Sequence, residues 1–123
     1  TREPRLLAII AAMEQQLEEP LAADALAAIS DLSLRQMERL FQKEMGVRPM
    51  GFYRRLRLER AEHLLSYSHM PIRDVSLAAG FSTMAEFSRA FRAKCGVSPS
   101  AFRQRPWGQD ATLAKSREQE FNS

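Results

Sequence analysis

The chain holds a single cysteine, Cys95, among 123 residues, so no internal disulfide can staple it and its stability must come from a packed core. Histidine is nearly as scarce. His63 and His69 lie six positions apart, with no cysteine or carboxylate at ligand spacing, which points to surface or packing roles and assigns no metal. No apolar run approaches the roughly 20 residues of a membrane span, and the first residues lack the cationic start and apolar stretch of a secretory signal. The expected setting is therefore a soluble, cytoplasmic chain with no membrane partner. No stretch alternates polar and apolar residues with period two over a useful length, so no sheet is expected. Cys95 occupies an apolar position beside a helix-ending glycine, without the basic or metal surroundings that would activate a thiolate. No catalytic residue and no cofactor is assigned, and an enzyme is not expected.

What the chain does contain is the same pattern twice. Residues 32 to 55 read LSLRQMERLFQKEMGVRPMGFYRR and residues 82 to 105 read STMAEFSRAFRAKCGVSPSAFRQR. In one ungapped register, 50 residues apart, Arg39/Arg89, Phe41/Phe91, Gly46/Gly96, Val47/Val97, Pro49/Pro99, Phe52/Phe102 and Arg55/Arg105 are identical. An Ala- and Leu-rich segment (Ala22 to Ile29, then Ile72 to Ala79) and a turn signal (Asp31 or Gly80) precede each copy. The repeating unit thus reads as short helix, tight turn, second helix: a helix-turn-helix, whose second helix can enter a DNA major groove.

Charge follows the repeats. The whole chain is only +3, but residues 32 to 105 hold fourteen cations against six acids, whereas residues 1 to 31 hold Arg2 and Arg5 against six acids. Fifteen of the eighteen cations are Arg, whose planar fork suits phosphates and guanine edges better than the point charge of Lys.

Periodicity and punctuation predict an all-α fold of about seven helices: two helix-turn-helix subdomains joined by a long linker helix. Leu6, Leu7, Ile9, Ile10, Met13 and Leu17 recur at helical spacing, which predicts an amphipathic first helix from about Pro4 to Glu18 within a junction covering residues 1–20. The first helix-turn-helix occupies 21–48. Its helices run over about Ala22 to Ser30 and from a Ser33 N-cap to Met45, where Gly46 stops the second. Pro49 suits the first turn of the linker, 49–66, with Phe52, Leu56, Ala61, Leu64 and Leu65 on its buried side. The second helix-turn-helix occupies 67–105, with helices over about Pro71 to Ala79 and Thr83 to Cys95. Gly96 stops the latter, and Ser98 and Pro99 open a last short helix to about Gln104. The polar tail, 106–123, with Trp107 and Leu113 as its only apolar anchors, is expected to be mobile.

With Met37, Leu40 and Phe41 inward, Arg35, Glu38, Arg39 and Gln42 share one outward face of the first candidate reading helix. Arg can bond guanine bidentately, Glu can accept from cytosine N4 and Gln can pair with adenine. A solvated helix face with its own charge pattern would look the same. The matching face of the second copy is Ala85, Ser88, Arg89 and Arg92, with Met84 beside it. Two copies that keep their core and one outward Arg while other outward residues diverge fit a scaffold reused to read two DNA segments. They also fit a duplicated structural unit whose shared Arg packs on a neighbouring helix.

These motifs resemble the DNA-binding domain of AraC-type transcriptional regulators. The resemblance runs from about Leu21 to Arg103 and rests on L-S-x-R-Q-M-E-R-L-F at Leu32–Phe41, R-L-R-L-E-R-A at Arg55–Ala61, G-F-S at Gly80–Ser82, F-S-R-A-F-R at Phe87–Arg92 and G-V-S-P-S-A-F-R at Gly96–Arg103. It implies double-stranded DNA as partner, with base reading on Arg35, Glu38 and Arg39 and on Met84, Ala85, Ser88 and Arg89. Met84, Ala85 and Glu86 depart from the family's usual polar start to the second reading helix, so apolar contact with thymine methyls is expected there. Arg48 stands where the linker helix usually has Ser, losing a side-chain cap but placing a cation beside helix N-terminal amides that could hold a phosphate. Arg92 and Ser98 complete the phosphate candidates. Activators of the family also touch RNA polymerase, a partner for which no contact motif is visible.

Family members generally carry a separate effector-sensing or dimerising domain, for which this chain has no room. Its opening, P-R-L-L-A-I-I-A-A-M-E-Q-Q-L-E-E-P-L, resembles the junction in the subgroup whose N-terminal domain is similar to class I glutamine amidotransferases. A C-terminal fragment is therefore expected, its effector bound by a domain absent from this chain. The alternatives are a free-standing small regulator without effector domain, and a helical protein-interaction module holding an acidic partner on its Arg-rich face.

Overall fold

The computed structural model describes residues 3–106; the expected tail, Trp107 and Leu113 included, lies outside the described residues beyond Pro106. Seven helices occupy them: α1 Pro4–Gln15, α2 Ala23–Ile29, α3 Leu34–Met45, α4 Pro49–Tyr67, α5 Ile72–Ala78, α6 Met84–Cys95 and α7 Pro99–Gln104. The described residues contain no strand. Local chemistry sets the ends. Ser33 and Gln36 form a reciprocal capping box before α3, Thr83 Oγ1 accepts from the Glu86 amide before α6, and Ser98 Oγ accepts from the Ala101 amide before α7. Gly46 (φ 69°) and Gly96 (φ 80°) end α3 and α6 in the left-handed conformation. Asp31 (φ 56°) and Gly80 (φ 84°) provide the two expected turns.

Phe41 and Phe52 pack with tilted rings 5.9 Å apart in a first core with Leu6, Ile9, Met13, Leu26, Met37 and Tyr53. Phe81, Phe87 and Phe91 build a second with Leu58, Ala61, Leu65 and Val75, and Phe102 packs edge-on to Phe91. Burial of each aromatic contributes about 1.5–3 kcal/mol, as a single large side chain does.

Helix α4 belongs to both cores. Phe52, Tyr53 and Leu56 enter the first; Leu58, Ala61 and Leu65, with half-buried Leu64, enter the second. At 3.6 residues per turn these sets point about 150° apart, so the expected single buried side is replaced by two stripes, and Tyr53 and Leu58 join it. Another correction concerns α1, which stops at Gln15 rather than near Glu18. There the chain turns away because the Tyr53 hydroxyl donates to the Gln16 carbonyl and accepts from the Leu21 amide (3.0 Å), anchoring the α1–α2 connection to α4. Leu7, expected within the apolar stripe, is 47% exposed.

The repeat also has a seam. α3/α6 and α4/α7 start 50 residues apart, but α2/α5 and the turns Asp31/Gly80 are 49 apart. One extra residue lies between Gly80 and the Thr83 cap, so the ungapped register does not extend upstream of α3 and α6. Equivalent positions then perform equivalent tasks. Arg103 on α7 is the counterpart of Tyr53 on α4, and its guanidinium donates to the carbonyls of Leu65 (3.3 Å) and Met70 (2.6 Å), closing the C-terminal end of α4.

Candidate nucleic-acid interface

The capping box and the inward Met37 and Phe41 fix the rotation of α3, leaving Arg35, Glu38, Arg39 and Gln42 exposed along one outward stripe. Those four side chains and Arg48, at the N-cap of α4, line one open concavity. The face expected from spacing and the cation expected at the linker start are therefore brought together. Arg48 makes no side-chain cap. A second concavity on the α1 side of α3 is lined by Arg5, Leu32, Gln36, Arg39, Leu40 and Lys43, so Arg39 borders both.

Rotation of α6 is fixed in the same way by Phe87 and Phe91, and Ala85, Arg89 and Arg92 are exposed, with Met84 40% exposed. Ser88 differs from expectation: it is half-buried, because it follows Phe87 at the edge of the second core. Ser98 is half-buried too, and its oxygen already caps α7.

Neighbours separate the paired identities of the repeat. Phe41/Phe91 and Phe52/Phe102 pack in the cores, Gly46/Gly96 adopt positive φ, and Pro49/Pro99 open α4 and α7 in buried positions. Arg55 lies 5.2 Å from the Phe52 ring centroid, and Arg105 lies 3.6 Å from that of Phe102. Arg39 and Arg89, by contrast, are exposed, and neither makes a hydrogen bond, ion pair or ring contact among the described residues.

Of two further surface residues, the repeat marks one and hides the other. Leu34, the first residue of α3, is 43% exposed and matches Met84, the first residue of α6. Arg73 on α5 is exposed and shares a concavity with Leu77, Ser82, Thr83 and Met84. Its counterpart 49 residues earlier is Asp24, so comparison of the two copies hides it.

The remaining chemistry-bearing groups sit elsewhere. His63 and His69 are exposed, with the His63 ring tilted against that of Tyr67 at 4.9 Å between centroids. Cys95 packs against the second core, and burial pushes its thiol up to about 11. Lys94 bonds Glu62 at 2.6 Å; burial opposes its charge, but the carboxylate outweighs this and holds the ammonium above its ordinary pKa. No helix among the described residues is long and apolar enough to cross a membrane.

The sequence matches the helix-turn-helix domain family over residues 26–105. The HTH-type transcriptional regulator GbdR of Pseudomonas aeruginosa is 42% identical over 114 residues, covering 92% of this chain and 31% of the regulator. This chain accordingly spans about a third of the length of the curated relatives it matches. A crystal structure of an AraC-type transcriptional regulator from Chromobacterium violaceum superposes with a TM-score of 0.76 at 38% identity, covering 84% of this chain and 95% of that one. The DNA-binding domain of AdpA, crystallised in complex with a target DNA, gives a TM-score of 0.77 at 28% identity, covering 80% of this chain and 89% of that one. With the duplicated helix-turn-helix and its matching register, these likenesses show that the chain belongs to the AraC family of transcriptional regulators and carries that family's sequence-specific DNA-binding domain.

Proposed function

We propose that α3 and α6 enter successive major grooves on one face of a duplex, as a monomer, each reading part of a two-part site. Arg35, Glu38, Arg39 and Gln42 read bases in one groove. In the other, Met84 and Ala85 touch thymine methyls, Arg89 bonds a base edge, and Ser88, half-buried, contributes from the rim. Arg48 and Arg92 hold phosphates, with Ser98 contributing through the amides it flanks. Arg73 joins them from α5, the helix that crosses the backbone in this motif.

The observation that carries this reading is the pair Arg39 and Arg89: identical in both copies, exposed, and without a bonding partner among the described residues. A shared Arg held in the fold by a hydrogen bond, an ion pair or an aromatic ring would show such a contact. Bound to DNA, this domain forms the C-terminal part of a longer cytoplasmic regulator whose effector is held elsewhere and which touches RNA polymerase.

Arg39→Ala tests the assignment. Against a panel of duplexes varied one base pair at a time, it should cost about 1–3 kcal/mol on the preferred site and relax the preference in one half-site only. An equal loss on every sequence would make Arg39 a phosphate contact and remove it from base reading.

A further inference from the structure

The two units meet at the turn of the second one. From the middle of α4, Arg57 donates through Nε to the Ala79 carbonyl (3.0 Å) and through Nη2 to the Gly80 carbonyl (2.8 Å), and its guanidinium lies 4.3 Å from the Phe81 ring centroid. Nearly one turn later Arg60 donates to the Ala78 carbonyl (2.9 Å). Three successive carbonyls at the end of α5 are thus held by two arginines of one helix.

On its other side the same turn touches the first unit. A Cβ added at Gly80 would lie 2.3 Å from the Leu17 carbonyl oxygen and 2.8 Å from Pro20 Cγ, and the positive φ also disfavours any side chain. Leu17 and Pro20 belong to the α1–α2 connection that Tyr53 bonds to α4. The turn is therefore gripped between α4 and a segment that α4 itself anchors. Thr83, the cap of α6, begins three residues beyond Gly80, so the grip fixes where the second reading helix starts.

We propose that Arg57, closing on the Gly80 turn, is a positioning residue for DNA recognition: it sets the phase between α3 and α6, so that the protein accepts one spacing between its two half-motifs. This rests on the two-groove reading above. Burial lowers the Arg57 pKa, opposed by the Glu86 carboxylate, as expected of a guanidinium withdrawn from solvent to hold backbone. Removing its fork frees the carbonyls of Ala79 and Gly80 and lets the second unit rock about the end of α5. Small errors of phase matter, because one inserted base pair rotates a half-site by about 34–36° around the duplex axis.

The test is a set of binding titrations on duplexes carrying both half-motifs with one base pair deleted, none changed, or one or two inserted between them, and on a duplex with the second half-motif scrambled. The unaltered chain should lose at least about tenfold per misplaced base pair, the scale of a lost base contact. Arg57→Gln should flatten that dependence to about threefold or less, while its affinity for the scrambled duplex stays unchanged. Should Arg57→Gln fail to fold by thermal melting, Arg57→Lys, which keeps the charge and one donor, should show partial flattening. Gly80→Ala, which displaces the turn from the opposite side, should shift or broaden the preferred spacing. An equal loss on every duplex would make Arg57 a structural residue only, and an unchanged spacing dependence would overturn the proposal while leaving two-groove binding intact. A spacing-indifferent unaltered chain would instead sink the two-groove reading, and this inference with it.

Discussion

Arginine in this chain does three different jobs, and only its neighbours tell them apart. Arg57, Arg60 and Arg103 donate to backbone carbonyls at helix ends, and Arg55 and Arg105 lie over phenylalanine rings. Arg35, Arg39, Arg48, Arg89 and Arg92 are exposed, without bonded partners among the described residues. The outward stripe of α3 could be read from spacing, because inward Met37 and Phe41 fix its rotation. The carbonyl-binding arginines could not, since their acceptors are backbone atoms that leave no trace in residue identity. Arg92→Ala should lower affinity nearly uniformly across sequences and reduce the slope of log K against log salt by about 1, the signature of one phosphate contact; an unchanged slope would remove Arg92 from the phosphate set. Cys95 offers a pH test. Its folded thiol is raised to about 11, so the stability this protonated thiol confers is fully present below the unfolded-chain value, about 8.5, and is lost as pH rises through the folded one. Alkylation by iodoacetamide should therefore set in two or so pH units later for the folded chain than for the urea-unfolded one, and coincident onsets would contradict the burial described for it.

Most helix boundaries are legible, because they have a local chemical cause: the Ser33, Thr83 and Ser98 caps, the glycine stops, the prolines at first positions. α4 was legible as a helix but not in its faces. A helix shared by two cores carries apolar residues in two stripes, and Tyr53 and Leu58, absent from the expected buried set, belong to them. The end of α1 is not legible in the sequence for a tertiary reason, since the hydroxyl that donates to the Gln16 carbonyl arrives from residue 53. Tyr53→Phe leaves Leu21 N–H and that carbonyl without their partner and should destabilise the fold by about 1–3 kcal/mol. Thermal melting should register this as a loss of about 4–8 °C per kcal/mol in a domain of this size. A melting temperature within experimental error of the unaltered chain would mean that water replaces the hydroxyl at no cost.

At the scale of the molecule, α4 is the long rod that joins the two units among the described residues, and its 19 residues extend about 28 Å. Equivalent major-groove faces recur about every 34 Å, so two-groove binding bends the DNA toward the protein or leaves one helix shallower, and bending costs on the order of 1–6 kcal/mol. The two proposed reading faces are also unequal. Arg35, Glu38, Arg39 and Gln42 are all exposed polar groups, whereas the α6 face offers Arg89 and a half-buried Ser88 beside Met84 and Ala85. Directional bonds penalise a wrong base because they leave buried donors and acceptors unpaired. The half-site under α3 should therefore be the sharper one, with α6 contributing mainly phosphate contacts and shape readout. Selection of bound sites from a random duplex library tests two-groove recognition most directly. The expected result is two half-motifs about one helical turn apart, the sharper assigned to α3 by its response to Arg39→Ala; a single half-motif, or no preference among duplexes of equal length, would contradict it.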